Sequence, residues 1–433
     1  MVWAEISVVL VCIFLGIRFG GIAIGLFGGL GLAILTIGFG LPVGSVPVDV
    51  MLIIMTVVLA AATLQATGGM ALLVKYAEKL LRKNPKYINF LAPAITWLMT
   101  IVAGTGFIVF STLPVIAEVA KESGVRPSRA LVGATVASQI AITGSPISAA
   151  MAAMITIMEG NGVTFLQIMA VCLPASFVAA MVAAFISSRQ GCELQDDEVY
   201  LQRLQAGLVS KGASQTDSIP AGAKYSVLIF LLSIAMIVFF AVFPEFRPSY
   251  ENGKSLSTRD IIIIAMLAGS CLMMLSGKIK PDSIVTNSTF RSGMSSIAVI
   301  LGIVTLGTTF VDAHLADIKA IAGDVVTNYP MLLAAVLFFT CALLYSQGST
   351  TPLIIPVAVA LGVPNWAILA SFVAVTGVFV LPTYPTTLAA MEIDTTGTTR
   401  PGRFIIDHPF MLPAALGVIA GLAFGFIWAP MVM

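Results

Sequence analysis

Four short runs of this chain gather hydroxyl, amide, glycine and proline residues inside otherwise apolar sequence. They are Gly104-Thr105-Gly106 with Ser111-Thr112, Thr143-Gly144-Ser145-Pro146-Ile147-Ser148, Ser346-Gln347-Gly348-Ser349-Thr350-Thr351-Pro352, and Leu381-Pro382-Thr383-Tyr384-Pro385-Thr386-Thr387. No paired acids, metal-ligand cluster or nucleophile beside a base lies in the apolar spans, so no enzyme, cofactor or metal site is expected. What these residue types can do is bind. Proline and glycine interrupt helices and free backbone groups. The amides and positive dipole end of a half-helix N-terminus suit an anion, a carboxylate especially, whereas half-helix C-termini and unwound carbonyls suit a cation such as sodium.

The candidate binding side chains are Thr105, Ser111, Thr112, Thr143, Ser145 and Ser148, then Gln347, Ser349, Thr350, Thr351, Thr383, Tyr384, Thr386 and Thr387. Gly104, Gly106, Gly144, Pro146, Gly348, Pro382 and Pro385 are the helix breakers. Each hydroxyl has an alternative use, a bond to its own helix backbone, which is common for Ser and Thr in membrane helices. Alanine at Thr383 or Thr386 is expected to impair binding without impairing insertion.

The elements that must position these runs are membrane spans. Of 433 residues, 58% are hydrophobic and 10% charged, and the mean hydropathy is +1.02. Many apolar runs approach the roughly 20 residues that cross a bilayer. The chain therefore reads as an all-α polytopic membrane protein. A net charge of +1 and the lack of a basic cluster interleaved with aromatics give no reason to expect nucleic acid. Four of the five cysteines lie in apolar runs and Cys192 in a polar loop, with no CxxC pair, so neither metal nor disulfide is implied. Glu5 in place of a basic leader region argues against a cleaved signal peptide.

Apolar spans over 6–19, 22–37 and 48–66 lead to the segment from Lys75 to Lys86, which carries five basic residues against one acid and is expected at the cytoplasmic interface. Gly21, Gly25 and Gly29 in the second span suit close helix packing. The next apolar stretch is too short to cross twice, so it is expected to form a re-entrant helical hairpin with its tip near 104–112. A helix broken over 143–148 and a return span ending at 187 follow. Residues 189–223, polar and containing Glu193, Asp196, Asp197, Glu198, Arg203 and Lys211, read as a solvated cytoplasmic linker.

The second half repeats this order. Its polar segment with Asp312, His314, Asp317, Lys319 and Asp324 is acidic where the first half is basic, and His314 reads as an ordinary surface residue. Gly106 precedes Pro114 by eight residues as Gly348 precedes Pro356; Pro146 follows Pro114 by 32 and Pro385 follows Pro356 by 29. Matched order with opposite charge bias is what two inverted-topology repeats would show, each with a re-entrant hairpin and a broken transmembrane helix. The repeats are 1–188 (scaffold spans 1–70, hairpin and broken helix 87–187) and 224–433 (scaffold spans 224–312, hairpin and broken helix 330–433). The topology closes with both termini outside and the second broken helix exiting at Arg400 and Arg403.

Two anion cradles facing one another suit a solute with a carboxylate at each end. Arg126 and Arg129, with Lys121, could steer such a dianion or simply mark the cytoplasmic side. Glu118 and Asp394 are candidates for proton coupling, Glu118 also reading as a solvated hairpin base.

At Gly104-Thr105-Gly106, Thr112-Leu113-Pro114-Val115-Ile116-Ala117-Glu118-Val119-Ala120-Lys121, Ser145-Pro146-Ile147-Ser148-Ala149-Ala150, Leu381 to Thr386 and Asp394-Thr395-Thr396-Gly397-Thr398-Thr399-Arg400, the chain resembles the anaerobic four-carbon dicarboxylate transporter (Dcu) family of Gram-negative bacteria. The resemblance covers nearly the whole length and is least informative over the linker. It implies an inner-membrane carrier that exchanges fumarate, malate or aspartate for succinate. It also implies the wider ion-transporter group, commonly homodimers in which a transport domain, here 87–187 and 330–428, moves past a scaffold. Alternatives are a symporter coupled to sodium or protons, and a transporter-like subunit that reports dicarboxylate to a partner sensor kinase.

Overall fold

The computed structural model describes residues 2–19, 21–209, 219–220, 222–250, 255–380, 382–402 and 407–433, with the side chains of Ile17, Ser288, Ser292 and 318–328 left out. Lys211, Leu381 and Arg403 lie outside the described residues, as do the side chains of Lys319 and Asp324. Among the described residues the chain is helical, and the only β pairing is an isolated bridge between Ser249 and Ser255. Among the described residues eight helices are long and apolar enough to cross a membrane; Val2–Gly16, Ala23–Gly38, Leu332–Leu344 and Asn365–Phe379 are shorter apolar helices.

Local sequence explains where these helices begin and end. The Val48–Ala66 helix stops at Thr67, and Gly68 turns left-handed (φ 79°) to start Gly69–Lys83 in a new direction. Arg82 and Lys83 in the last turn of that second helix complement its dipole. Phe165–Ser188 opens on a reciprocal capping box between Thr164 and Gln167.

Packing pairs the two halves in a crossed pattern. Ala23–Ala33 lies against Ser288–Val299 and Ile300–Val304 of the second half, while Val48–Ala66 lies against Thr258–Gly277. Val109–Glu122 packs on Pro385–Ile393, Gln347–Ala360 packs on Ala149–Gly160, and Phe165–Ser188 packs on Met411–Val432. One close crossing depends on glycine, but in a different register from the expected one. A Cβ at Gly25 or Gly28 would strike the backbone at Ala298–Val299 or Gly302–Ile303, whereas Gly21 and Gly29 have nothing within 4 Å. Contact thus follows an i, i+3 row rather than the i, i+4 row.

Two polar regions also differ from expectation. His314 is not an ordinary surface residue: its Nε2 lies 2.6 Å from Oε2 of Glu5, itself only 3% exposed, and the pair joins the first helix to the kink, at His314 itself, in the helical segment Thr305–Asn328. The linker is partly folded. Glu198–Gln205 is a helix capped by Asp197, whose Oδ1 accepts from the amides of Val199 and Tyr200.

Candidate functional site

Two helical hairpins and two interrupted helices carry the candidate residues. In the first hairpin Ile88–Ala103 ends at Gly104 (φ 69°), Thr105 is extended and accepts from the Phe107 amide, and a helix resumes at Gly106. In the second, Leu332–Leu344 ends at Tyr345 (φ 52°), Ser346 is extended and accepts from the Ser349 amide, and a helix resumes at Gln347. The turn is the same at both tips.

The first interruption separates Pro127–Ile140 and the turn Ala141–Gly144 from Ala149–Gly160. Hydroxyls of the break answer carbonyls of the break and of the neighbouring hairpin arm. Thr143 donates to Ile140 O (2.8 Å), Ser145 to Ile101 O (2.8 Å) and Ser148 to Ile142 O (2.6 Å), and Ser148 also caps the next helix by accepting from the Met151 amide. The second interruption is longer than the single turn expected around Pro382–Pro385. Regular helix ends at Ser371 and resumes only at Pro385, with short turns at Phe372–Ala374 and Gly377–Phe379 between. Gly377 explains part of the extension: a Cβ there would collide with the Phe338 carbonyl, so the chain presses on the hairpin arm where only glycine fits. Thr387 donates to the carbonyls of Pro382 (2.9 Å) and Tyr384 (2.7 Å), closing the loop.

Between these four features lies a cavity of about 630 Å³, completed by Val48–Ala66 and Ser288–Val299. Its lining contains the opening residues of four helices: Gly106 and Phe107, Ala149 and Ala150, Gln347 and Gly348, and Pro385. Among the described residues no Asp, Glu, Lys, Arg or His lines it. The polarity comes from Thr105, Gln139, Thr289, Ser295, Ser296, Tyr345, Ser346, Gln347, Thr383 and Tyr384. Helix N-termini without neutralising acids make a cavity that favours negative charge.

Of the sequence-predicted residues, Thr105, Gln347, Thr383 and Tyr384 line the cavity, with Gly104, Gly106, Gly348 and Pro385. Thr112, Thr143, Ser145, Ser148, Ser349, Thr350, Thr351 and Thr387 are buried off the lining, bonded to backbone or to a neighbouring hydroxyl. Ser111 is exposed outside it. Thr386 is buried, its hydroxyl without a hydrogen-bond partner among the described residues. Gly144 leaves room for the Ser176 hydroxyl, and Pro146 and Pro382 sit within the interruptions but off the lining.

None of the four charged candidates lines the cavity. Arg126 is buried and pairs with Asp197 at 2.7 Å. Arg129 pairs with Glu193 at 2.9 Å and donates to the carbonyls of Gln190 and Gly191. Asp394 is buried, accepting from the Thr398 hydroxyl (2.7 Å), from the Thr399 amide (2.7 Å) and from both the amide and hydroxyl of Thr396. Glu118 is half-buried on a hairpin arm.

Sequence reasoning missed Gln139, Tyr345, Thr289, Ser295 and Ser296, and left Ser346, within a marked run, off the candidate side chains. Gln139 had a signal, since Thr135, Gln139 and Thr143 recur every four residues and so share a helix face. Gln347 shows what the amides do here: its Nε2 donates to Gln139 O (3.0 Å) and to Val375 O (2.7 Å), joining the ends of both interrupted helices. The Gln139 side chain in turn fills the space beside Gly106, where a Cβ would lie 2.5 Å from its amide nitrogen.

A family model described as the anaerobic C4-dicarboxylate membrane transporter matches residues 1–433. The chain belongs to this family. It is 48% identical over 430 residues to the C4-dicarboxylate transporter DcuA of Wolinella succinogenes, with 99% of each chain covered. Identity is 45% over 428 residues to DcuA of Escherichia coli K12, again 99% of each, and 37% over 438 residues to the anaerobic C4-dicarboxylate transporter DcuB of Escherichia coli O6:H1, covering 99% of this chain and 98% of that one. Among solved structures, MtrF of Neisseria gonorrhoeae, described with a class of antimetabolite efflux pumps, is similar at a TM-score of 0.56 and 15% identity over 86% of this chain and 80% of that one. That likeness concerns the fold alone.

Proposed function

We propose that the protein is an inner-membrane secondary transporter that exchanges four-carbon dicarboxylates, taking in fumarate, malate or aspartate and releasing succinate by alternating access. The observation that carries this reading is the convergence of four helix N-terminal segments on one cavity with no charged side chain in its described lining. Two of these segments come from each half, so a solute with a carboxylate at each end can use both sets. The names of the 37–48% identical relatives agree with that solute class.

In this reading 1–188 and 224–433 are inverted repeats, the crossed helix pairs reflect their pseudo-two-fold relation, and each hairpin re-enters the side from which it came. Both termini lie in the periplasm. The hairpins and interrupted helices move together past the remaining spans, the carrier working as a homodimer. Exchange of one dianion for another is electroneutral, and the empty carrier returns poorly.

Proteoliposomes loaded with succinate should take up labelled fumarate faster than empty ones; equal uptake would rule out obligatory exchange. Repeating the assay with sodium or pH gradients separates an exchanger from a cation-coupled symporter.

A further inference from the structure

The two hairpin tips share a backbone, and where the first has glycine in the left-handed position the second has tyrosine. Gly104 (φ 69°, ψ 9°) followed by Thr105 (φ −144°, ψ 133°) matches Tyr345 (φ 52°, ψ 27°) followed by Ser346 (φ −149°, ψ 113°). The left-handed region is free to glycine and costly to a residue with a Cβ. Among the described non-glycine residues only Lys278 and Tyr345 adopt it. At the first tip a side chain has no room, because a Cβ on Gly104 would lie 2.8 Å from the Ile147 carbonyl oxygen in the first interruption. That tip rests on its interruption through backbone.

At the second tip the residue in this position, Tyr345, carries a side chain. Its hydroxyl lies 2.7 Å from the Thr383 hydroxyl and its ring centroid 6.0 Å from that of Tyr384, and all three residues line the cavity. A strained residue held at a ligand-facing tip points to a task for its side chain. The neighbouring helix opens on Pro385, which has no amide proton to offer an anion. The other helix opening at this end begins with Gln347 and Gly348, next to Tyr345 in the chain.

We infer that Tyr345 is the specificity-determining residue of the cavity. Its ring walls off the second-half end, so that a dicarboxylate of four carbons spans from one half's helix N-termini to the other's and a longer one does not. This rests on the dicarboxylate reading above. The ring itself, packed beside Tyr384, makes the wall, and the hydroxyl pairs with that of Thr383 at the edge of the cavity.

Counterflow of succinate, glutarate and adipate in proteoliposomes tests the inference with the wild type, Tyr345→Gly, Tyr345→Ser and Tyr345→Phe. A single methylene in a fitted pocket is worth about 10- to 200-fold. The wild type should therefore favour succinate over glutarate by at least about tenfold. Tyr345→Gly, which suits the backbone better than tyrosine does, and Tyr345→Ser should shift that ratio toward glutarate by about tenfold. Tyr345→Phe keeps the ring and should keep the chain-length ratio while changing the succinate concentration at half-maximal rate. An unchanged ratio in either truncated variant that still exchanges succinate overturns the inference, and so does a wild type that does not discriminate. A wild type that exchanges no dicarboxylate overturns the proposed function instead.

Discussion

Thr143, Ser148, Thr376 and Thr387 each donate to a carbonyl within an interruption, and Ser145 donates to the last turn of the neighbouring hairpin arm. At membrane depth no solvent can do this, so irregular backbone persists only where the protein supplies partners. The hydroxyls of 143–148 marked the first interruption, whereas Thr376 lies in the part of the second that the sequence reads as helix, and the task of each depended on which carbonyl lay nearby. Gln347 is the extreme case, since one side chain serves carbonyls in both halves. A buried carbonyl left without a donor costs about 1–3 kcal/mol. Gln347→Ala is therefore expected to lower the melting temperature in detergent and to slow succinate–fumarate counterflow. Unchanged stability would show that neither carbonyl depends on this amide.

At the scale of elements, the linker does more than connect. Asp197, 2% exposed, pairs with Arg126 at 2.7 Å and with Arg400 at 3.2 Å, and Arg203 donates to Thr395 O at 3.2 Å. The short helix Glu198–Gln205 thus holds the start of the first interrupted helix to the loop after the second. Burial alone would raise the Asp197 carboxyl; the Tyr200 amide, Arg400 and Arg126 outweigh it and hold the carboxyl below its ordinary value. A depressed carboxylate contributes stability that is present above its unfolded value, about pH 4, and is lost as pH falls through the lower folded value. Acidification through that window should therefore lower the melting temperature. Asp197→Asn, which leaves the buried Arg126 without its counter-charge, should destabilise by on the order of 3 kcal/mol at neutral pH and flatten the acid-side decline. Melting curves from pH 3 to 7 for the two proteins decide this; parallel curves would remove Asp197 from the acid response.

At the scale of the whole molecule, the crossed pairing of spans and the cavity between hairpins and scaffold frame the proposed motion. A Cβ at Gly307 would meet the Leu353 side chain, where a scaffold helix touches a hairpin arm. If the arm slides past the scaffold, a Gly307→Cys/Leu353→Cys disulfide should stop counterflow and a reductant should restore it. The scaffold-internal pair Thr67→Cys/Gly277→Cys, where a Cβ at Gly277 would lie 2.6 Å from the threonine methyl, should permit exchange when oxidised. Full activity of the oxidised Gly307–Leu353 pair would mean that these parts do not move relative to one another.

The sequence by itself determined the helical membrane class, a helix break near Gly104 and another before Gln347, and the place of the first interruption, because hydropathy, proline and glycine act over a few residues and leave local marks; the family followed from the resemblance of its motifs. The tertiary structure decided which of the marked residues meet. It placed Thr105, Gln347, Thr383 and Tyr384 on one cavity, turned Thr143 and Ser145 to backbone carbonyls, kept Gly25 at the glycine crossing but put Gly28 there in place of Gly21 and Gly29, and lengthened the second interruption back to Phe372. It also paired His314 with Glu5 and Arg126 with Asp197, and brought in Gln139, Tyr345 and Ser346. Each of these depends on contacts between segments far apart in the chain, and on which partner of several chemically equivalent ones the packing brings within hydrogen-bonding reach.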